Sequence, residues 1–224
     1  MKKAFTLIEL PGVIAVIAVL MGVPVSSSLP GRSIAQDTLA QENASILDGA
    51  LDFSQMSGLD CGDFDPTGGT GKFTVALWCY WEGGPIQHLV TKSAGWGADT
   101  MMFQIELKGS DAWIDEQARN RLNLAYQGAA QAGFDQVTPH GWVHLALTFD
   151  GTQATGYLNG IDSFGPKATG IGPNVAVPVI LGATELGERI LQGLMDDVRI
   201  YNYALTPAEV IGTIGVDLGY KPFE

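Results

Sequence analysis

From Leu47 onward the chain is cut into short apolar runs of strand length by Gly, Asp and Asn. Runs such as FTVALWCYW, MMFQIEL and GWVHLALTF are rich in the β-branched and aromatic residues that favour strands. No long helical pattern lies between them, and the 29 glycines of the chain suit many tight turns. This pattern of strand-length apolar runs separated by turn residues predicts a mainly β fold, an antiparallel sandwich of two sheets.

Two short motifs refine the prediction. In FDGTQATGYLNG, the Asp150–Gly151 and Asn159–Gly160 dipeptides follow strand-like runs, and Asx-Gly is a strong hairpin signal. In LTPAEV, Thr206 is placed as an N-cap, Pro207 as the first helical residue and Glu209 as the partner in a capping box. The sequence therefore predicts a hairpin in the second half of the sandwich and a short helix near its end.

The N-terminal segment combines two lysines, an FTLIEL string and an uncharged apolar stretch from Leu10 to Val25. Glu9 is unusual there, because a carboxylate at the head of a membrane helix costs about 2.5 kcal/mol or more without a partner. The segment resembles the type IV prepilin leader, in which a short basic leader precedes Phe-Thr-Leu-Ile-Glu-Leu. The resemblance implies that a prepilin peptidase cleaves between Ala4 and Phe5 and that a hydrophobic transmembrane helix stays on the mature chain.

Under this interpretation residues 5–25 cross the membrane, and Glu9 pairs with the new amine of a neighbouring pilin-like subunit. The leading lysines keep the N-terminus cytoplasmic, so the remainder is anchored at the inner membrane and lies outside the cytoplasm, at the cell surface or on a pilus. Two positions depart from the prepilin pattern, since Ala4 replaces the usual Gly and Pro11 interrupts the helix. An uncleaved signal anchor is the alternative.

The remaining motifs share a second resemblance. ILDGALDFSQMSGLDCGD, FTVALWCYW, GWVHLALTFDGTQATGYLNG and LMDDVRIYNYALTPAEV are similar, in order and spacing, to those of laminin-G-like, concanavalin A-like jelly-roll domains. This similarity spans about Ile46 to Val210. It implies a jelly roll at 46–212, preceded by a leader and transmembrane helix at 1–25 and a linker at 26–45, and followed by a tail at 213–224.

The acidic balance, 24 Asp and Glu against 12 Lys and Arg, argues against nucleic acid as a partner and suits a divalent cation. Ca²⁺ takes six to eight oxygen ligands from carboxylates and backbone carbonyls. The resemblance implies a calcium site held by Asp196, which opens the last strand, with oxygens from Asp48 and Gly49. The alternative is that Asp196 and Asp197 form a turn or protect a strand edge.

Ligand recognition by a lectin-like domain requires exposed aromatic side chains on which a sugar ring can stack. Trp78 and Trp142 match core positions of the family and are expected to be buried. Trp81, Trp96 and Trp113 fall outside the core motifs, in or beside predicted loops, and are the candidate ligand-binding residues. Partial packing is the alternative for each.

Two cysteines, Cys61 and Cys79, form an even pair in a domain expected to be exported. Such a pair permits a disulfide, because exported domains fold under oxidising conditions. Two buried thiols are the alternative, and the spacing does not choose between them.

Catalytic motifs are not found in the sequence. The glycan hydrolases with this fold carry an alternating Glu-x-Asp-x-x-Glu string that points its carboxylates into one cleft, and no such string occurs here. His144 lies within a predicted strand and is interpreted as a structural histidine. We therefore expect a binding protein for a glycan or a surface protein, not an enzyme. A structural pilin or pseudopilin subunit is the first alternative and a glycan hydrolase is the second.

Overall fold

The computed structural model describes residues 4–6, 50–54, 56–95, 97, 99–109, 121–126 and 130–215. Within them the chain forms thirteen strands and one helix, with these bounds: β1 Ala4–Thr6, β2 Leu51–Asp52, β3 Leu59–Asp60, β4 Phe73–Trp81, β5 Gln87–Ser93, β6 Met101–Lys108, β7 Arg121–Tyr126, β8 Ala130–Gln136, β9 Trp142–Phe149, β10 Gln153–Leu158, β11 Ile161–Ala168, β12 Ile180–Leu181, β13 Gly193–Tyr201 and α1 Pro207–Gly215.

The strands form two antiparallel sheets. The first has the order β1-β13-β4-β9-β10-β11, with β2 also paired to β13, and is called the seven-stranded sheet below. The second has the order β3-β12-β5-β6-β7-β8 and is called the six-stranded sheet. The predicted mainly β, two-sheet sandwich is therefore confirmed.

The hydrophobic core lies between the two sheets and is dominated by aromatic and branched side chains. Phe73 of the seven-stranded sheet stacks on Phe103 of the six-stranded sheet, with ring centroids 4.7 Å apart and an interplanar angle of 18°. Phe149 lies against Phe73 at 5.8 Å. These rings are at most 2% exposed, so they join the two layers through dispersion contacts and burial.

Both local motifs adopt the predicted structures. The hairpin between β10 and β11 turns at Asn159 and Gly160, whose φ angles of 51° and 79° are the left-handed values that this turn requires. At the start of α1 the Thr206 N–H donates to Glu209 Oε2 at 2.8 Å, and the Glu209 N–H donates to Thr206 Oγ1 at 3.3 Å. The reciprocal pair is a capping box.

Helix α1 covers part of the outer face of the seven-stranded sheet. Trp78 and Trp142 are buried as predicted, but they form a separate cluster on this outer face instead of joining the core between the sheets. The Thr213 hydroxyl donates to a carbonyl one turn earlier at 2.7 Å, and so accepts from His144 Nε2 at 3.0 Å. His144 is thus a hydrogen-bonded structural histidine, and the helix extends past the predicted domain boundary at residue 212.

The N-terminal residues 4–6 form an edge strand of the seven-stranded sheet. In β1, Ala4, Phe5 and Thr6 lie opposite Tyr201, Ile200 and Arg199 of β13. They are therefore extended here, whereas the sequence predicted that a helix begins at Phe5. Among the described residues, no helix is long and apolar enough to span a bilayer. The rest of the predicted transmembrane segment and the linker lie outside the described residues.

The two cysteines are free thiols in the structure. Cys61 is 4% exposed and Cys79 is fully buried, and both belong to the core between the sheets. Burial raises the pKa of each thiol to about 12, with the Asp60 charge adding to the effect on Cys61. The structure therefore corresponds to the second of the two alternatives, a pair of inert thiols.

Candidate functional site

The six-stranded sheet has two chemically different faces. On β6 the odd-numbered residues from Phe103 to Leu107 belong to the core, and Gln104, Glu106 and Lys108 alternate with them on the opposite face. These three polar side chains are themselves buried, at 2%, 1% and 7% exposure. Buried polar groups require fixed partners, so this face is a preorganised arrangement of donors and acceptors.

Glu106 is the centre of that arrangement. Its Oε1 lies 3.0 Å from Lys108 Nζ, and its Oε2 lies 3.1 Å from His88 Nε2. Arg189 Nη1 approaches Oε2 at 3.8 Å. The carboxylate is 1% exposed and the Arg189 side chain is 35% exposed, so the cluster runs from the interior to the surface. We call these four residues the Glu106 cluster.

The cluster keeps Glu106 ionised. Burial by itself raises the pKa of this carboxyl, but the hydrogen bond from His88 and the positive charges of Lys108 and His88 outweigh it. The net result lowers the pKa from 4.5 to about 2. Glu106 is therefore an acceptor at any pH above this range and anchors the basic side chains around it.

Arg189 reaches the cluster from the loop between β12 and β13. Hydrogen bonds close this loop, because the Thr184 N–H donates to the Glu188 carbonyl at 3.0 Å and the Glu188 N–H donates to Thr184 Oγ1 at 2.9 Å. The His88 N–H donates to the Arg189 carbonyl at 2.9 Å. Arg189 has a φ of 51°, a left-handed value uncommon for a residue with a Cβ. The backbone of Arg189 is thus fixed next to that of His88.

The polar face continues along β6 from Glu106 to Gln104. There Gln104 Nε2 donates to Ser93 Oγ of the neighbouring strand β5 at 3.2 Å.

The chemistry of the Glu106 cluster suits hydrogen bonding and ion pairing. A general acid in catalysis needs a raised pKa, and that of Glu106 is lowered. Retaining glycoside hydrolysis uses two carboxylates about 5 to 5.5 Å apart. The Glu106 carboxylate, by contrast, lies against the basic side chains of His88, Lys108 and Arg189.

The predicted aromatic ligand contacts are not brought together at this face. Trp81 ends β4 and is fully buried in the core, where its Nε1–H donates to Gln87 Oε1 at 3.1 Å. The prediction that Trp81 lies exposed in or beside a loop was wrong, because Trp81 is the last residue of β4 and its side chain belongs to the core. Trp96 and Trp113 lie outside the described residues.

The predicted calcium ligands are described only in part. Asp196 is half-buried at an irregularity in β13, where its Oδ1 accepts from the Asp197 N–H at 2.7 Å. Asp197 has a φ of 50° and pairs with Arg199 through both carboxylate oxygens, at 2.9 and 2.8 Å. Asp48 and Gly49 lie outside the described residues.

A calcium site requires more oxygens than one carboxylate supplies. No group of three or more His, Cys, Asp or Glu side chains that fits a metal occurs among the residues that the structure describes. Asp196 fits the role of one ligand, and the turn alternative accounts for the hydrogen bond that it accepts. Calcium binding stays a prediction.

Of the three predicted processing residues, two lie within the described residues and one lies outside them. Ala4 and Phe5 lie in β1, and Glu9 lies outside the described residues. The Glu106 cluster was not predicted, although alternate polar residues in MMFQIELK signal a second, polar face of that strand. The contribution of Arg189 had no local signal, because it depends on a loop more than 80 residues away in the chain.

Comparison with known families decides the class of this sandwich. A model described as the concanavalin A-like lectin/glucanases superfamily matches residues 55–211, most of the chain. The chain belongs to this superfamily. The match covers every strand of the concanavalin A-like domain from β3 to β13, and therefore all four residues of the Glu106 cluster. No curated protein matches the chain significantly.

Solved structures show the same architecture at low identity. The concanavalin A-like domain is similar to the native heptameric SAP-like pentraxin from Limulus polyphemus, with 14% identity, a TM-score of 0.51, and coverage of 65% of this chain and 70% of the pentraxin. Domain 4 of an extracellular arabinanase from Geobacillus stearothermophilus, solved with arabinotriose, has 19% identity, a TM-score of 0.48, and coverage of 74% and 71%. The likeness to the pentraxin is one of fold.

A third similar structure is the sialidase of Trypanosoma rangeli, with 15% identity and a TM-score of 0.48. The match covers 66% of this chain and only 23% of the sialidase.

Proposed function

We propose that this protein is an exported recognition protein whose concanavalin A-like domain binds a glycan through the polar face of the six-stranded sheet. The observation that carries the proposal is the Glu106 cluster. A buried carboxylate fixes Lys108 at 3.0 Å and His88 at 3.1 Å, and the Arg189 side chain continues the cluster to the surface. Sites that bind small polar ligands use a few such fixed groups to set orientation and specificity.

Membership of a superfamily of lectins and glucanases supports a glycan over a protein as the ligand. Binding without hydrolysis is proposed because the lowered pKa of Glu106 makes it a poor proton donor. Recognition by a surface protein is the second candidate ligand class. A protein ligand would contact the same face through the exposed part of the Arg189 side chain.

Display outside the cytoplasm rests on the prepilin-like N-terminal segment. We propose that this segment anchors the chain in the inner membrane or joins it to a filament of pilin-like subunits. A purely structural pilin is the alternative. Imaging and mass spectrometry of sheared surface filaments separate the two roles: a minor component indicates a displayed recognition protein, and filaments made mainly of this chain indicate a structural subunit.

Glycan binding is tested with the full chain, purified in detergent and applied to an array of neutral and acidic oligosaccharides. We expect binding that Arg189→Gln weakens, because the partly exposed Arg189 side chain carries the Glu106 cluster to the surface. Lys72→Gln is the matched control, since Lys72 is exposed in a loop before β4 of the other sheet and loses the same charge. An array without signal, or equal binding by both variants, would contradict the proposal.

A further inference from the structure

The loop between β12 and β13 is hydrogen-bonded at both ends to strand β5. On the incoming side, Thr91 Oγ1 donates to the Ala183 carbonyl at 3.0 Å. On the outgoing side, the His88 N–H donates to the Arg189 carbonyl at 2.9 Å. Residues 183–189, called the rim loop below, are therefore held against the strand that supplies His88 to the Glu106 cluster.

The tip of the rim loop is a hydrogen-bonded turn. The Gly187 N–H donates to the Thr184 carbonyl at 3.0 Å, so Glu185 and Leu186 are the two central residues of a β-turn. Gly187 has a φ of 71°, a left-handed value that glycine adopts without a steric penalty. The Glu188 N–H also donates to Thr184 Oγ1 at 2.9 Å. The position of the tip is thus set by its own hydrogen bonds.

Leu186 is exposed at this tip. Its exposed fraction, 74%, is the largest among the large apolar side chains that the structure describes. Turns favour Gly, Asn, Asp and Ser, so turn chemistry does not require a leucine here. Single exposed leucines are common, but this one lies three residues before Arg189, whose side chain carries the Glu106 cluster to the surface. The rim loop thus presents an apolar side chain next to the proposed site.

An apolar contact is what the Glu106 cluster itself lacks. Its four side chains are polar or charged, whereas ligand sites combine a few polar groups with a mostly apolar lining. A sugar ring has C–H groups on its faces, and a leucine side chain packs against such a face because both then lose apolar surface to water. Leu186 supplies this kind of contact. Because the turn already fixes its backbone, ordering the loop costs little on binding.

The charges around Leu186 favour an uncharged sugar. Glu185 and Glu188 are exposed, one on each side of it in the chain, and the whole protein has a net charge of -12. This field repels anionic glycans and anionic membrane surfaces. A neutral sugar meets no such repulsion, and its hydroxyl groups donate hydrogen bonds that carboxylates accept.

We propose that the rim loop is a further part of the glycan site, in which Leu186 packs on the C–H face of an uncharged sugar and the carboxylates of Glu185 and Glu188 accept hydrogen bonds from its hydroxyl groups. This inference rests on the proposed function, because it names the class of glycan bound at the same face and an additional residue that contacts it. The contact requires no rearrangement of the loop, since Leu186 is already exposed.

The test compares two serine variants of the full chain in detergent, titrated on the array of neutral and acidic oligosaccharides. Leu186→Ser should weaken binding to neutral oligosaccharides about three- to tenfold, the effect of losing a partly buried leucine contact. Ile161→Ser is the matched control, because Ile161 is 73% exposed at the start of β11 in the other sheet. Leu186→Met should bind like the wild type, since methionine has a similar apolar volume. Both serine variants should melt close to the wild type, because neither side chain is buried.

The outcomes separate this inference from the proposed function. Binding that Leu186→Ser leaves unchanged, or that both serine variants weaken equally, overturns the role of the rim loop and leaves the proposed function in place. Binding confined to acidic oligosaccharides has the same consequence. An array without signal for the wild type overturns both.

Discussion

Lys108 Nζ lies 3.0 Å from Glu106 Oε1, two positions apart on one strand, and the two side chains are only 9% and 1% exposed. A strand places residues i and i+2 on the same face, so β6 itself sets this distance. Because His88 shares the other oxygen of the carboxylate, loss of Glu106 leaves two buried basic groups without their common acceptor.

Glu106→Gln should therefore destabilise the fold strongly. Removing one partner of a buried ion pair costs about 3 to 5 kcal/mol, since the remaining charge stays buried. Equilibrium denaturation by guanidinium chloride measures the change in the free energy of unfolding. Glu185→Gln is the matched control, because Glu185 is exposed and its loss should change stability by less than about 0.5 kcal/mol. Similar values for the two variants would show that the Glu106 cluster is not coupled to the fold.

The same carboxylate should make stability depend on pH. The pKa of Glu106 is about 2 in the folded chain, below its ordinary value of 4.5, so the unfolded chain takes up the proton first. The stabilisation is complete above about pH 4.5 and is lost as the pH falls towards 2. We expect the melting temperature of the wild type to fall more steeply across this window than that of Glu106→Gln. Parallel curves would contradict this assignment.

Trp81→Phe should lower stability and not merely alter ligand binding. Trp81 is fully buried, and the substitution removes both core volume and the hydrogen bond from its Nε1 to Gln87. The expected loss is about 1 to 3 kcal/mol, measured by chemical denaturation. A variant as stable as the wild type would instead suit an exposed stacking position.

The sequence predicted the sandwich well because its signals are local. Strand-length runs, the turn at Asn159 and the capping box at Thr206 depend on neighbouring residues and on backbone geometry. The pairing of side chains, by contrast, depends on residues that are distant in the sequence. Lys92 is fully buried within β5 and donates to Asp63 at 2.7 Å and to the Val177 carbonyl at 2.6 Å, partners that lie 29 and 85 positions away.

The candidate site was missed for the same physical reason. His88 and Arg189 meet Glu106 only after two strands and a distant loop have been assembled, and no spacing in the sequence encodes that meeting. Trp81 was expected in or beside a loop, whereas β4 extends up to Trp81 and its side chain is buried in the core. Burial of polar and aromatic residues is a property of the assembled layers.

Calcium binding by Asp196 can be tested through thermal stability. If Asp196 is a calcium ligand, millimolar Ca²⁺ should raise the melting temperature of the chain by mass action, and Asp196→Ala should abolish that rise. Asp162→Ala is the control, because Asp162 is an exposed carboxylate in strand β11, where it accepts from the Gly165 N–H. A melting temperature that is insensitive to Ca²⁺ in the wild type would favour the turn alternative.

The cysteines should be unreactive until the domain unfolds. Burial raises the pKa values of Cys61 and Cys79 to about 12, so almost no thiolate is present at pH 8. A colorimetric thiol reagent should detect essentially no thiol in the folded protein and both thiols in guanidinium chloride without reductant. Absence of thiols after unfolding would indicate a disulfide.

Processing at the N-terminus is tested by intact mass. If the prepilin interpretation holds, membrane-extracted protein begins at Phe5, and Glu9→Ala leaves insertion intact while it impairs entry into a filament. A chain that still begins at Met1, or that begins after Val25, would contradict this interpretation. Purified prepilin peptidase added to the full chain provides the matching reaction in vitro.

Strand β1 gives that cleavage a structural consequence. The edge of β13 that faces away from β4 pairs with two separate strands. β2 pairs with Leu194 and Met195, and β1 pairs with Arg199–Tyr201. The predicted scissile bond, between Ala4 and Phe5, lies within β1. Withdrawal of β1 would expose the backbone donors and acceptors of Arg199–Tyr201, and unpaired margins of this kind recruit strands from other molecules. If the predicted cleavage occurs and β1 withdraws, this edge of β13 becomes open to a strand from another copy of the domain.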